Sequence, residues 1–272
     1  MSPDDASPAG FQLSGSASDS YERYVSVIMS PFVEAVVQRA RLSAGQAVLD
    51  VACGTGFAAR AAARVVGPAG RVVGLDLNAG MLQTAASNPA APAIEWVEGS
   101  ALELDFEDDS FDAVVCQQGV QFFPDLVRAA GEMARVARTG GRVVASFWSP
   151  LDTQPYFGAQ LRALERKIGA GIEPIARGFG LSPSAACDAF EAAGLIEVTV
   201  EEVTAEISLP PLPDFLAGQI SGLPVAAAFA SLAPSARDSV LDEIASALAP
   251  YALSTGGHRV PLRSHVISAL AG

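Results

Sequence analysis

Short apolar runs alternate with amphipathic segments through the first half of the chain. The runs AVLDVA (47–52), RVVGLD (71–76), IEWVE (94–98), FDAVVCQ (111–117) and GRVVASFW (141–148) predict strands. The segments between several of them predict helices over 58–65, 79–86 and 124–137. Because alternating strands and helices are typical of a parallel sheet covered on both faces, this pattern predicts an α/β fold with a doubly wound sheet.

The pattern is different before this stretch. Residues 1–19 are rich in Ser, Ala, Asp, Pro and Gly, which predicts a mobile N-terminal arm. Residues 20–41 place apolar side chains at three- and four-residue steps and predict an amphipathic helix, broken or restarted at Pro31. A chain of 272 residues is long enough for one large core, and we predict a single domain over 20–272.

After Trp148 the alternation loosens. Residues 183–194 predict a helix, and 195–207 and 259–271 predict two further strands. Two Pro-rich stretches near 149–182 and 208–257 contain several short helical runs. We expect these two stretches to be insertions that form a helical lid over one edge of the sheet.

Composition and charge exclude several classes of protein. Half of the residues are apolar and 17% are charged, which excludes a mostly disordered chain. No apolar stretch is long enough to span a bilayer, and the acidic N-terminus has no secretory leader, so a cytoplasmic protein without a membrane segment is expected. A net charge of −13 disfavours nucleic acid and anionic lipid as partners. Its simplest interpretation is solubility, with recognition of a cationic substrate as the alternative.

The three cysteines offer little chemistry. Cys53, Cys116 and Cys187 are far apart and odd in number, which matches neither a disulfide framework nor a zinc site. We predict reduced, structural cysteines and no metal site.

A glycine-rich turn follows the first predicted strand. The segment DVACGTG (50–56) ends a buried strand and leads into a helix that begins near Phe57. Gly54 and Gly56 allow the backbone to turn sharply and to lie against a ligand, and the helix N-terminus offers unpaired N–H donors. Twenty residues after Gly56, the second strand ends in Asp76, whose carboxylate is placed to accept hydrogen bonds from both ribose hydroxyls. The pattern therefore predicts a nucleoside site.

The identity of the nucleoside depends on Asp50. The sequence Gly54-x-Gly56-x-x-Ala59 also satisfies the permissive dinucleotide pattern, which favours a nicotinamide cofactor. A carboxylate immediately before the glycines opposes a pyrophosphate and favours a cationic ligand such as a sulfonium. The alternative is that Asp50 is a structural acid at a strand end, with its hydrogen bonds satisfied by the protein.

Several motifs in order resemble the class I S-adenosylmethionine-dependent methyltransferases, in particular the small-molecule branch of ubiquinone and menaquinone-type enzymes. The resemblance covers about residues 20–150 and is carried by the glycine loop, VVGLDLN (72–78), Gly-Ser-Ala (99–101), SFDAVV (110–115), and Arg-Val (135–136) followed by Gly-Gly-Arg (140–142). It implies a Rossmann-like, doubly wound sheet of seven strands with an antiparallel last strand. It also implies S-adenosylmethionine as the cofactor and a small-molecule acceptor.

The resemblance assigns roles to particular residues. It implies that Asp50 reaches the methionine end through water, that Asp76 holds the ribose and that Leu77 and Met81 pack on adenine. Tyr21 or Tyr24 would cap the cofactor carboxylate. The cofactor-binding set that follows is Tyr24, Asp50, Ala52, Gly54, Gly56, Asp76, Leu77, Met81, Ser100, Ala101, Leu102 and Gln117.

Two positions depart from the family pattern. Ala52 stands where the family usually has Gly, and its methyl group tightens the approach of a ligand to the loop. Ser100 stands where Asp is common, and its hydroxyl is a weaker hydrogen-bond acceptor for the adenine amino group than a carboxylate.

Methyl transfer from a sulfonium is an in-line displacement that needs alignment and exclusion of water more than a dedicated catalytic group. Where the acceptor needs a general base, the candidates are the two histidines, His258 and His265, both in the predicted last strand. Packing or surface roles are the alternative for each. Gln118 and Gln121 are candidates for hydrogen bonds to a polar acceptor. The aromatic residues that would form an apolar wall are Phe122, Phe123, Trp148, Tyr156 and Phe157.

We predict transfer of a methyl group to an oxygen or carbon of a small, largely apolar metabolite of polyketide, terpenoid or quinone type, as in secondary metabolism. One alternative is a nicotinamide-dependent oxidoreductase, although the Tyr-to-Lys spacing of the short-chain subclass fails at Lys167, which has Ala163 three residues before it. The others are a protein that binds the cofactor without methyl transfer, and one that catalyses another reaction, such as a cyclisation, beside it. Oligomeric state is not predictable from these patterns.

Overall fold

The computed structural model describes residues 13, 15–88, 93–254 and 256–272. Most of the predicted N-terminal arm over 1–19 therefore lies outside the described residues. Its last part does not form an arm, because helix α1 already begins at Ser16.

The described residues contain seven strands and ten α-helices. The strands are β1 (Ala47–Val51), β2 (Arg71–Asp76), β3 (Glu95–Glu98), β4 (Phe111–Gln117), β5 (Ala137–Trp148), β6 (Ile196–Leu209) and β7 (His258–Leu270). The helices are α1 (Ser16–Ala40), α2 (Phe57–Val66), α3 (Ala79–Ser87), α4 (Leu126–Val136), α5 (Pro155–Ile168), α6 (Glu173–Ala176), α7 (Pro183–Ala192), α8 (Leu212–Ser221), α9 (Ala226–Ser231) and α10 (Pro234–Leu248). Every predicted strand is present, with bounds shifted by a few residues.

The strands form one sheet in the order β3-β2-β1-β4-β5-β7-β6. Strands β1 to β5 pair in parallel, whereas β7 runs antiparallel to both β5 and β6. This topology confirms the predicted Rossmann-like sheet with an antiparallel last strand. The order reverses between β1 and β4, and in open α/β sheets ligands bind in the crevice at such a reversal, beyond the carboxyl ends of the strands.

Each face of the sheet has its own apolar core. On one face Ile28 and Phe32 of α1 pack together with residues of α2, α5, α8 and α10. On the other face Met133 of α4 and Phe190 of α7 pack against the strands. Because the central strands are covered on both faces, β1 and β4 are almost wholly apolar rather than alternating.

Helix α1 is continuous through Pro31, so the predicted break is wrong. A proline inside a helix removes one backbone hydrogen bond and costs about 3 kcal/mol. The helix nevertheless buries Ile28, Met29, Phe32 and Val36 on the sheet. Burying each such side chain stabilises the fold by about 1.5–3 kcal/mol, which offsets the cost of the proline.

Trp96 of β3 lies across its neighbour β2. Gly74 is the register partner of Trp96, and a Cβ at Gly74 would stand 2.4 Å from Trp96 Cζ3 and 3.1 Å from Cys53 Sγ. We expect Gly74→Ala to lower the free energy of unfolding by about 1–3 kcal/mol, the usual cost of overpacking. In a Trp96→Ala background most of this cost is expected to disappear, because the clashing ring is gone.

Denaturant unfolding of the two single variants and the double variant measures this coupling. Gly131→Ala is the matched control, since Gly131 lies inside α4 and a Cβ there meets nothing within 4 Å. We expect Gly131→Ala to stabilise the protein by about 0.5–1 kcal/mol. An equal cost of Gly74→Ala with and without Trp96 would contradict the proposed clash.

Candidate functional site

The turn between β1 and α2 is built from left-handed backbone. Ala52, Gly54 and Gly56 have φ of 55°, 55° and 89°. For Ala52 this conformation costs about 1–2 kcal/mol relative to glycine. A Cβ at Gly119 would lie 2.8 Å from the Ala52 methyl, so only a residue without a side chain fits at position 119. The methyl group at position 52, where the family usually has Gly, is therefore accommodated by Gly119, which follows the end of the neighbouring strand β4.

The two glycines of the loop have different roles. A Cβ at Gly54 would meet only Met81 Cε, at 4.0 Å, so it would stand in the open space of the cavity described below. A Cβ at Gly56 would lie 2.4 Å from Trp96 Cη2. Gly54 lines the cavity as predicted, whereas Gly56 does not line it and instead makes room for Trp96.

The Asp76 carboxylate is fixed at the end of β2 by two backbone donors. Gly54 N donates to Asp76 Oδ2 at 2.7 Å, and Asn78 N donates to Asp76 Oδ1 at 2.8 Å. Burial raises the pKa of Asp76 above its usual value, while these backbone hydrogen bonds oppose the shift. Each carboxylate oxygen retains a lone pair for a further donor. Asp76 lines the cavity and is oriented before any ligand arrives.

The side predicted to hold adenine is open and largely apolar. Leu77 is 48% exposed, and Met81 lies on the adjoining first turn of α3. Ser100 Oγ accepts a hydrogen bond from Leu102 N at 3.2 Å and so closes the turn after β3. The predicted residues Leu77, Met81, Ser100, Ala101 and Leu102 all line the cavity.

Asp50 does not line the cavity. It is fully buried behind the loop, where its Oδ2 accepts from Ala59 N at 2.7 Å in the first turn of α2, and its Oδ1 has no hydrogen-bond partner. Burial is the main cause that raises the pKa of this carboxyl to about 8, and the nearby Asp76 adds to the shift. The side chain is thus mostly uncharged near pH 7. The prediction that Asp50 selects a cation directly is corrected, since this geometry fits the structural alternative.

The structure separates the two tyrosines of α1. Tyr21 lines the cavity, and burial raises the pKa of its phenol. Tyr24 does not line it, because its ring packs on the backbone of Gly218 and edge-on against Phe215 of α8. The assignment of Tyr24 to the cofactor set is therefore corrected, and Tyr21 is the tyrosine of this pair that lines the cavity.

Neither histidine reaches the cavity. In the antiparallel register His265 is opposite Phe147 and stacks on its ring at 5.2 Å between centroids, while the next residue, Trp148, lies on the other face and lines the cavity. His265 Nδ1 is 3.2 Å from Ser149 Oγ, and burial lowers the pKa of His265. His258 begins β7 beside Leu209, with its Nδ1 buried and unpartnered. Neither histidine is therefore placed to act as a general base on a molecule in the cavity.

A second half of the cavity extends from the carboxyl end of β4. Gln117 and Gln118 line it, and Gln117 Nε2 lies 3.5 Å from Met29 Sδ of α1. Four of the five predicted wall aromatics line the cavity as well; the fifth, Tyr156, is fully buried behind Phe157. The total cavity volume is about 300 Å³.

Sequence patterns missed part of this lining. Helix α1 contributes Val25, Ile28 and Met29, and the two Pro-rich stretches contribute Ile175, Gly178, Phe179, Gln219 and Leu223. No local signal marks these residues, since, Gln219 apart, their apolar or small side chains follow the same pattern as ordinary core positions. Among the described residues Asp76 is the one carboxylate in the cavity wall, and no Arg, Lys or His lines it.

The chain matches known methyltransferases in sequence. Residues 49–145 match the family profile described as "Methyltransferase domain". A demethylmenaquinone methyltransferase from Halalkalibacterium halodurans is 38% identical over 128 residues, which is 44% of this chain and 52% of that relative. The chain thus matches about half the length of this relative.

Solved structures share the fold at low identity. A phosphoethanolamine N-methyltransferase from Haemonchus contortus, bound to phosphomonomethylethanolamine and S-adenosylhomocysteine, superposes with a TM-score of 0.54 at 20% identity, over 88% of this chain and 52% of that one. Geranyl diphosphate C-methyltransferase from Streptomyces coelicolor gives 0.51 at 17% identity, over 92% and 84%. The matched profile spans β1 to β5, which includes the glycine loop and Asp76. Over residues 49–145 the chain is therefore similar in sequence to the methyltransferase domain family.

Proposed function

We propose that this protein transfers a methyl group from S-adenosylmethionine to an oxygen or carbon of a small, uncharged and largely apolar molecule. The observation that carries the proposal is the division of the cavity. One half holds the fixed carboxylate of Asp76 and the open glycine at 54, and the other half is an aromatic wall with glutamines. A nucleoside fits the first half and a neutral acceptor the second.

The residues present fit S-adenosylmethionine. Asp76 would accept the ribose hydroxyls, Leu77 and Met81 would pack on adenine, and Gly54 would let the ligand lie against the loop backbone. Ala52, Ser100, Ala101, Leu102 and Gln117 would complete the contacts, with Tyr21 in place of Tyr24. When bound, this cofactor supplies a methyl group activated by the positive charge on sulfur.

The acceptor half of the cavity favours a neutral molecule. Phe157 and Phe179 of one insertion and Leu223 of the other line it together with Trp148. Both insertions would thus act as a lid that excludes water. The two related structures named above hold phosphomonomethylethanolamine and geranyl diphosphate, and a phosphate in this cavity would meet no cationic side chain among the described lining residues. A buried charge without a partner is strongly unfavourable.

The titratable groups of the lining also restrict the chemistry. Burial raises the pKa of Tyr21 and of Cys53, so both stay protonated at neutral pH, and Asp76 faces the ribose end. None of these groups is suited to remove a proton from the acceptor. We therefore expect the acceptor to be a phenol or enol that ionises readily and releases its proton to solvent as it enters, before the lid excludes water.

Calorimetric titration with S-adenosylmethionine, S-adenosylhomocysteine and NADH separates the candidate functions. We expect saturable binding of both sulfur compounds and none of NADH. Transfer of labelled methyl from S-adenosylmethionine to neutral phenols, with phosphorylated alcohols as the comparison, then tests the acceptor class. NADH binding without a response to the sulfur compounds would support the oxidoreductase alternative and refute the proposal. Tight binding of the sulfur compounds without transfer to any acceptor would favour a non-catalytic binding protein.

A further inference from the structure

Three buried side chains form a hydrogen-bonded row beside the acceptor half of the cavity, here called the glutamine chain: Ser264, Gln118 and Gln121. Gln121 Nε2 donates to Gln118 Oε1 at 2.9 Å, and Gln118 Nε2 donates to Ser264 Oγ at 2.8 Å. Ser264 is inaccessible, and both glutamines are only 8% exposed. The row therefore connects the interior of the sheet at β7 to the cavity wall.

The direction of the donors along this row is fixed at its inner end. Ser264 Oγ lies 3.0 Å from the carbonyl oxygen of Phe147 and 3.3 Å from that of His265. Because carbonyl oxygens only accept, the single hydroxyl hydrogen of Ser264 must point toward them. Ser264 Oγ then has to accept from Gln118, which turns the Gln118 amide nitrogen inward and its carbonyl oxygen toward Gln121. By the same step Gln121 donates to Gln118. Reversing both amides would place the Ser264 lone pairs against two carbonyl oxygens.

Gln121 is the outer end of the glutamine chain. Because its Nε2 is used to donate to Gln118, the atom that remains for another hydrogen bond is its acceptor, Oε1. Its Oε1 is buried without a hydrogen-bond partner, and the residue lines the cavity. An unsatisfied buried carbonyl is unfavourable and persists where something else in the structure holds it. Gln118 is held in a left-handed conformation with φ of 57°, which is strained for this residue type and recurs at functional sites.

We propose that Gln121 Oε1 accepts a hydrogen bond from a hydroxyl group of the acceptor molecule. The inference rests on the proposed function, because it assumes that an acceptor occupies this half of the cavity. The ligand class is a neutral, planar apolar molecule that carries a hydroxyl donor. An amide oxygen is too weak a base to remove the proton, so Gln121 is a positioning and specificity residue.

A matched ligand pair tests the proposal: 2-naphthol, which has the donor, and 2-methoxynaphthalene, which has the same rings without it. Both are titrated calorimetrically into protein saturated with S-adenosylhomocysteine. We expect the wild type to bind 2-naphthol about tenfold more tightly, which corresponds to one buried hydrogen bond. Gln121→Met has nearly the same volume without the oxygen, and we expect it to bind both compounds equally. Ser264→Ala releases the inner anchor, and we expect it to reduce the preference.

Gln219→Met is the control, because Gln219 lines a different wall of the cavity, where it accepts from Gln160. It is expected to keep the preference for 2-naphthol. Equal binding of the two naphthalenes by the wild type, no binding of either, or an unchanged preference in Gln121→Met would overturn the proposal. An unchanged preference in Ser264→Ala would overturn the fixed direction of the chain. Failure of S-adenosylhomocysteine to bind would instead refute the proposed function.

Discussion

Replacing Asp76 with Asn is expected to weaken binding of S-adenosylhomocysteine by about 100-fold or more. Both Asp76 oxygens accept backbone hydrogen bonds, one from Gly54 and one from Asn78. An amide at this position turns an N–H group toward one of these donors and leaves one oxygen for two ribose hydroxyls. Hydrogen bonds to a charged group are worth about 1.5–3 kcal/mol each, so the loss of charge and of one acceptor supports a change of this size.

Calorimetric titration measures the affinity, and a thermal melt checks that the variant is folded. Glu98→Gln is the control, because Glu98 ends the neighbouring strand β3 in register with Asp76 but is exposed and does not line the cavity. We expect it to bind S-adenosylhomocysteine like the wild type. Unchanged affinity in a folded Asp76→Asn variant would show that Asp76 does not contact the ribose.

Between pH 4 and 8 Asp50 is expected to make the free energy of unfolding of the ligand-free protein fall with pH, against opposite contributions from Glu132 and His265, whose pKa values are lowered. Asp50→Asn is expected to remove the Asp50 contribution and so to shift the slope upward. The pKa of Asp50 rises from 3.8 to about 8 on folding, chiefly because the carboxyl is buried. Between these values the folded chain keeps a proton that the unfolded chain releases, so the free energy of unfolding decreases with pH. The full effect of one such group is on the order of 5 kcal/mol. The raised pKa of Asp76 acts in the same direction and remains in the variant.

Denaturant unfolding at several pH values measures the slope. Asn at position 50 places an amide where Oδ1 has no partner, so its absolute stability changes at every pH, and the comparison is made on the slope alone. Asp105→Asn, at an exposed acid, is the control and should keep the wild-type slope. Equal slopes for Asp50→Asn and the wild type would contradict a buried, protonated Asp50.

Binding should also report on Asp50. A sulfonium bound on the other side of the loop would favour ionisation of the carboxyl and lower its pKa. We therefore expect S-adenosylmethionine to bind more tightly as pH rises toward 8, with release of a proton, and S-adenosylhomocysteine, which is uncharged at sulfur, to show a smaller dependence. Calorimetry in buffers of different ionisation enthalpy counts the protons. Identical pH dependence for the two compounds would exclude this coupling.

The local pattern of the chain determined most of the fold and the polar half of the cavity. Apolar runs such as those at 47–52 and 111–117 are short, uninterrupted and separated by helical segments, and a strand buried on both faces requires this pattern. Asp76 was predictable because the carboxyl ends of adjacent parallel strands meet at one edge of the sheet. Spacing along the chain therefore translates directly into proximity at this edge.

How deeply a side chain is buried and which way it points were decided by packing between segments that are distant in the sequence. Asp50 and Asp76 both lie on parallel strands in the glycine-loop region, yet one is sealed under α2 and the other faces the cavity. Gly56 was predictable as a glycine of the turn, but its partner Trp96 comes from another strand. The sequence predicted Tyr24 and His265 to lie at the cavity. In the structure the Tyr24 ring packs on Gly218 instead, and the strand register places His265 opposite Phe147, away from the cavity.

By itself the sequence determined the strand and helix alternation, the glycine turn and the acidic strand end, because periodicity and short-range spacing are properties of a contiguous segment. Only the tertiary structure decided that burial raises the pKa of Asp50, that neither histidine lines the cavity and that Gln121 Oε1 is buried without a hydrogen-bond partner. Desolvation and hydrogen-bond direction depend on every group packed around an atom, and for these residues those groups come from remote parts of the chain.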